Sequence, residues 1–188
     1  MKRIAIFASG EGSNAEAIVK YFMGNDNIKV EFILSNRISA GVHKRMKCLG
    51  IPTFTYSKDE WNEPKEIITK LKECSIDLIV LAGFLAIINN EIIDMYSGRI
   101  INIHPSLLPK HGGHGMWGLN VHQSVLESKD KESGITIHYV DEKIDGGNII
   151  AQYKCDVIED DSAEILANRV HQLEYFYYPR VIEEILSK

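Results

Sequence analysis

The chain has 188 residues, 45% hydrophobic and 25% charged, which is ordinary globular composition. That length favours one domain with a single continuous core, residues 1–188, and no Pro/Gly/Ser-rich or charge-run linker divides it. A net charge of −5 argues against a nucleic-acid binder held on a basic face, but leaves room for a local pocket for one phosphate.

Residues 3–8 (RIAIFA) read as a buried strand. The apolar run is too short for a signal peptide and a polar Gly-rich loop follows it. Nowhere does an apolar stretch approach the roughly 18–20 residues of a membrane span. Residues 14–23 show helical spacing at Ala17, Ile18, Tyr21 and Phe22. A strand is expected at 29–34, a helix from about 39 to 49 closed by Gly50 and Pro52, and an extended piece at TFTY. Residues 65–74 read as a helix with Pro64 near its start. Residues 77–81 (DLIVL) and 99–103 (RIINI) are near-continuous apolar runs, the pattern of strands buried on both faces, with a short helix at 89–96 between them.

The alternation of strands and helices points to an α/β, Rossmann-like open sheet, mostly parallel and flanked by helices. The pattern then changes. Strands at 134–140 and 149–157 flank DEKIDGGN, which predicts an antiparallel hairpin with an enlarged loop. A long amphipathic helix at 162–186 closes the chain, with Ile165, Val170, Leu173, Phe176, Ile182 and Ile185 on one face and a kink expected at Pro179. Cys48, Cys74 and Cys155 form no C-x-x-C pair, and their odd number suits a reducing compartment. The expectation is a cytoplasmic enzyme or binding domain.

Three polar concentrations carry candidate chemistry. The first is Ser9-Gly10-Glu11-Gly12-Ser13-Asn14, joining a strand to a helix. Glycines allow close backbone approach and a helix N-terminus favours an anion, so a phosphate monoester fits; a plain capped turn explains the loop equally well. Ala15 stands where a dinucleotide fingerprint has its third glycine. The second is Asn102-Ile103-His104-Pro105. Asn102 and His104 sit at i and i+2 at the carboxyl end of a strand, where open α/β sheets bind ligands. An Asn amide can donate to a developing oxyanion, and a His can donate or move a proton; a turn-capping Asn and a structural His are the alternative. The third, residues 141–147, runs DEKIDGG. Asp145 there is either a turn residue or a carboxylate that orients an imidazole. His138 either lines the same pocket or fills core. His111, His114 and His122 lack any nearby Cys or Asp, so metal binding is disfavoured and a flexible loop or a pocket rim is expected.

In this order along the chain, SGEGSN at 9–14, VLAGF at 80–84, NIHPSLLPK at 102–110 and VDEKIDGGNII at 140–150 resemble the glycinamide ribonucleotide formyltransferase family, within the folate-dependent formyltransferases. Singly none of these blocks is specific; together they are. The resemblance implies direct transfer of a formyl group from 10-formyltetrahydrofolate to the amine of glycinamide ribonucleotide in purine synthesis, without a metal. It assigns catalysis to Asn102, His104 and Asp145. It gives the substrate phosphate to Gly12, Ser13 and Asn14, and the ribose or glycinamide to Glu174, with His171 near the phosphate. The folate falls to Leu85, Ala86, Ile87 and Ile88 with Asn102, Asp141 and Asp145. Partners are then small molecules only, with no nucleic acid and no membrane, in a monomer or homodimer.

The sequence departs from the family at Ala86, where many members carry Arg. It departs again at 56–66, which does not align clearly, and in the longer stretch HGGHGMWGLNVH after Lys110. Two other functions compete: hydrolytic deformylation of the folate, against which Pro105, the first loop and the length argue, and a non-catalytic sensor of a phosphorylated metabolite.

Overall fold

The computed structural model describes residues 1–188. The chain divides into two compact units, Met1–Ile101 with Ile182–Lys188, and Asn102–Val181. Seven strands hydrogen-bond in the order β3-β2-β1-β4-β5-β6-β7.

The first unit contains β1 (Lys2–Phe7), α1 (Ser13–Phe22), β2 (Ile28–Ser35), α2 (Val42–Leu49), β3 (Thr53–Thr55), α3 (Lys58–Asn62), α4 (Lys65–Glu73), β4 (Leu78–Leu81), α5 (Asn90–Met95) and the start of β5 (Ile100–His104). β1 pairs in parallel with β2 and β4, in register Ile4↔Val30 and Ile4↔Leu78. Its centre is dry: Ile4, Ile6, Phe7, Ile33, Leu34, Ile79 and Val80 are each fully buried. The apolar runs read as two-face-buried strands therefore are such strands.

The second unit contains the rest of β5, then α6 (Leu119–Glu127), β6 (Glu132–Tyr139), β7 (Ile149–Asp156) and most of α7 (Ala163–Leu186). β6 and β7 form the expected antiparallel hairpin, from Glu132↔Asp156 to Ile137↔Ala151, with a register shift at His138.

The structure corrects the sequence reading at α6 and α7 and adds a short helix, α3. Residues 119–127 are helix α6, not a flexible loop or rim, because Val121, His122 and Val125 bury one face. Residues 58–62 form the short helix α3, started by a capping box: Ser57 accepts from the Glu60 N–H while the Glu60 carboxylate accepts from the Ser57 N–H. On α7, Ile165 and Phe176 are half exposed; the buried ridge is Leu166, Val170, Glu174, Tyr178 and Ile182, with the polar Glu174 among them. The helix runs unbroken through Pro179.

Candidate active site

At the carboxyl end of β1, Gly12 caps α1 with φ 76° and no side chain closes the helix start. The start of α1 is a positive helix end at which the capping residue brings no side-chain oxygen, which suits an anion. Glycine is required there. A Cβ on Gly12 would lie 2.5 Å from the Val42 side chain, in a backbone conformation that side chains disfavour. Ser13 and Asn14 follow, both partly buried. Ser9 ties this loop to its neighbours: its hydroxyl donates to Asn36 Oδ1 (2.6 Å) and accepts from the Leu85 N–H (2.8 Å). The second bond anchors the segment after β4, where Leu85 and Ile87 are exposed, Ala86 is intermediate and Ile88 is buried.

In the second unit, β5 presents Asn102 and His104, and the loop after β6 brings Asp145 to them. His104 is 4% exposed. Its Nε2 lies 2.8 Å from the main-chain oxygen of His111. A carbonyl only accepts, so Nε2 carries the proton. Nδ1 then faces Asp145 Oδ2 at 3.5 Å. That same oxygen accepts the Gly113 N–H at 2.9 Å. Asp145 has φ 52°, and the two glycines after it are needed. A Cβ on Gly147 would fall 1.8 Å from the Tyr139 carbonyl oxygen, and one on Gly146 2.6 Å from Lys143 Cβ.

Asn102 is oriented by a residue outside the candidate set. His138 Nδ1 donates to the Tyr139 carbonyl (2.8 Å), which leaves Nε2 as an acceptor for Asn102 Nδ2–H at 3.1 Å. Burial pushes the His138 imidazole below its usual range, which keeps it neutral and able to accept. Its Nε2 is 3.7 Å from Asp145 Oδ1, so the carboxylate lies between two imidazoles. Asn102, His104, His138 and Asp145 form one polar cluster that offers an amide donor, an imidazole and a carboxylate.

On α7, Glu174 is buried and accepts from His171 Nδ1 at 2.8 Å, one turn away. That hydrogen bond holds the His171 imidazole above its ordinary value. His122, on α6, is 2% exposed, and its Nδ1 has no hydrogen-bond partner. Burial first, then the charge of His171, push its pKa down to about 4. Asp141 is exposed and its carboxylate accepts the Lys143 N–H at 2.8 Å, an Asx turn. The histidines after Lys110 do not converge, and no three His, Cys, Asp or Glu side chains are grouped to hold a metal ion.

The structure thus gathers Asn102, His104 and Asp145, and pairs His171 with Glu174. It puts His138, which the sequence left open between pocket and core, against Asn102 and Asp145, and it adds His111, expected only in a loop or rim. For His138 the available signal was its position just before the 141–147 loop, on a strand. For His111 there was none, because its main-chain oxygen is what touches His104.

This fold is that of the formyl transferases. The chain belongs to the formyl transferase family, which matches residues 2–182. A phosphoribosylglycinamide formyltransferase of Bacillus subtilis is 38% identical over 192 residues, spanning 100% of this chain and 96% of the relative. A chloroplastic phosphoribosylglycinamide formyltransferase of Arabidopsis thaliana is 37% identical over 193 residues; the chain is covered fully and spans 66% of that longer protein. The crystal structure of phosphoribosylglycinamide formyltransferase from Bacillus halodurans superposes with a TM-score of 0.89 at 36% identity, covering 100% of this chain and 96% of that one. Within the family the chain therefore falls among the phosphoribosylglycinamide formyltransferases, enzymes of one-carbon transfer. No helix is long and apolar enough to cross a membrane.

Proposed function

We propose that the protein moves a formyl group from 10-formyltetrahydrofolate to the amine of glycinamide ribonucleotide, by direct attack and without a metal step. The observation that carries this reading is the Asn102–His104–Asp145 cluster, whose donors fit a carbonyl oxygen gaining negative charge. The amine nitrogen attacks the formyl carbon, and the formyl oxygen becomes an oxyanion held by the second Asn102 amide proton and by a proton on His104 Nδ1, the Nε2–H staying on the His111 carbonyl. The amine loses a proton, the folate nitrogen gains one, and the bond between carbon and folate nitrogen breaks. His104 and Asp145 move these protons, directly or through water. His138 keeps the Asn102 amide aimed.

Gly12, Ser13 and Asn14 would hold the phosphate at the start of α1, and Glu174 with His171 the ribose and glycinamide. The segment 85–88 and the loop carrying Asp141 and Asp145 would hold the pterin largely through main-chain groups, which suits a site where Ala86 brings no functional side chain. The protein would work in the cytoplasm as a monomer or homodimer on small molecules alone.

Incubation with 10-formyltetrahydrofolate and synthetic glycinamide ribonucleotide should give formylated ribonucleotide and tetrahydrofolate in equal amounts. Formate release at the same rate without the amine acceptor would overturn the reading in favour of deformylation. Binding of both ligands without turnover would leave a sensor.

A further inference from the structure

The stretch after Lys110 departs from the family and includes three histidines, and one of them is wired into the catalytic imidazole. His111 adopts φ 54°, a left-handed conformation that Gly or Asn takes at lower cost. Its imidazole is clamped from two sides. Nδ1 lies 2.8 Å from Ser124 Oγ on α6, and Nε2 lies 3.0 Å from Asp130 Oδ2 in the turn after α6. A carboxylate only accepts, so Nε2 is the donor and, in the neutral ring, Nδ1 takes the Ser124 hydroxyl proton. The ring is 10% exposed. Asp130 is held below the usual carboxylate range by His111 first and Lys110 second, so it stays a charged anchor. The fixed side chain fixes the backbone, and the His111 carbonyl is the group that receives His104 Nε2–H at 2.8 Å. Ser106 Oγ donates to the preceding carbonyl, Lys110 O, at 2.7 Å and steadies the same turn.

We infer that His111, locked between Ser124 and Asp130, is a positioning residue that sets the ring plane and the proton-bearing nitrogen of His104 through its main-chain carbonyl. Without the clamp, the left-handed turn at residue 111 relaxes and the carbonyl swings away. His104 then loses the acceptor that keeps its proton on Nε2, and the ring no longer presents one defined nitrogen to Asp145. The inference rests on the proposed role of His104 and extends it to residues that touch no substrate.

The test pairs kinetics with the nitrogen-15 spectrum of the His104 ring, which reports the tautomer directly. His111→Phe keeps a planar aromatic ring and removes both side-chain bonds; kcat should fall about 10-fold, with KM for glycinamide ribonucleotide within about two-fold, as expected for misalignment of a proton-moving group. Asp130→Ala and Ser124→Ala, each removing one of the two clamp partners, should each lower kcat several-fold. The Ser124→Ala, Asp130→Ala double variant should match His111→Phe. In all of these the Nε2–H signature of His104 should give way to mixed tautomers. Lys154→Ala, which removes only an exposed ion pair with Glu132 on the hairpin, should leave kcat and the spectrum unchanged. An unaltered His104 spectrum in His111→Phe and in the Ser124→Ala, Asp130→Ala double variant would overturn the inference, as would an effect confined to KM. The spectrum reads His104 whether or not the ribonucleotide is the acceptor. A changed tautomer with no transfer by the wild type would therefore support the positioning and overturn the functional reading alone.

Discussion

Asp145 accepts the Gly113 N–H and faces the imidazoles of both His104 and His138. Its charge and its loop contact are separable, because an Asn in its place keeps an oxygen for Gly113. Asp145→Asn should therefore keep the fold and lower kcat about 100-fold or more, a general acid–base magnitude, with ribonucleotide KM little changed; near-normal turnover would refute the role. His104→Ala should do the same. His138→Leu removes the acceptor for the Asn102 amide and should lower kcat about 10-fold, since an oxyanion donor that rotates freely loses part of its stabilisation. A change in KM alone would make His138 core filler, the other reading its sequence position allowed. Asn102 and His104 were legible as a pair because strand parity places i and i+2 on one side. His138 was not, since its tautomer depends on the Tyr139 carbonyl, a contact the sequence does not advertise.

The loop joining β6 to β7 holds Asp145 only because the backbone folds tightly around it. Gly147→Ala drives a methyl against the Tyr139 carbonyl and should cost about 2 kcal/mol, as a steric clash with fixed backbone does, along with much of the activity. Gly24→Ala has open space around it and φ 79°, so only the left-handed backbone penalty of about 1 kcal/mol applies, with activity retained. Denaturant titration of both variants separates the two cases, and equal losses would remove the steric account. Among the helices, α3 carried a readable signal in Ser57 and Glu60, the spacing of a capping box. α6 gave less: its start at Gly118 lacks a side-chain cap and its buried face contains His122, which looks polar until it is packed. The same reason misplaces the buried ridge of α7, where Glu174 occupies a position that periodicity reserves for an apolar residue.

Acid should unfold the protein earlier than carboxylate chemistry alone predicts. His122 has a folded pKa of about 4 against an ordinary 6.5, because burial disfavours its charged form. Between those values the unfolded chain binds more protons than the folded one, so stability is full above pH 6.5 and falls as pH drops towards 4. Allowing for residual solvent screening, the loss is on the order of 2 kcal/mol. His138, also lowered by burial, acts in the same direction. His171, raised by Glu174, acts in the opposite one: its contribution is present below its unfolded pKa and lost as pH rises through its folded value. Chemical denaturation of wild type and His122→Phe at pH 7.5 and 4.5 checks this. The variant should lose less stability across the interval, and equal losses would exclude His122 as the cause.

What the sequence determined by itself follows from local rules. Apolar runs fixed the buried strands, glycines with a helix start marked the loop at residues 9–14, and strand parity aligned Asn102 with His104. What tertiary structure alone decided is which distant groups meet these residues. Asp145 reaches His104 because the loop after β6 returns to β5, and a turn residue and a catalytic carboxylate look alike until that loop is folded. The His111 carbonyl is a main-chain atom, identical at every position in the chain, and only the bonds to Ser124 and Asp130 make it particular.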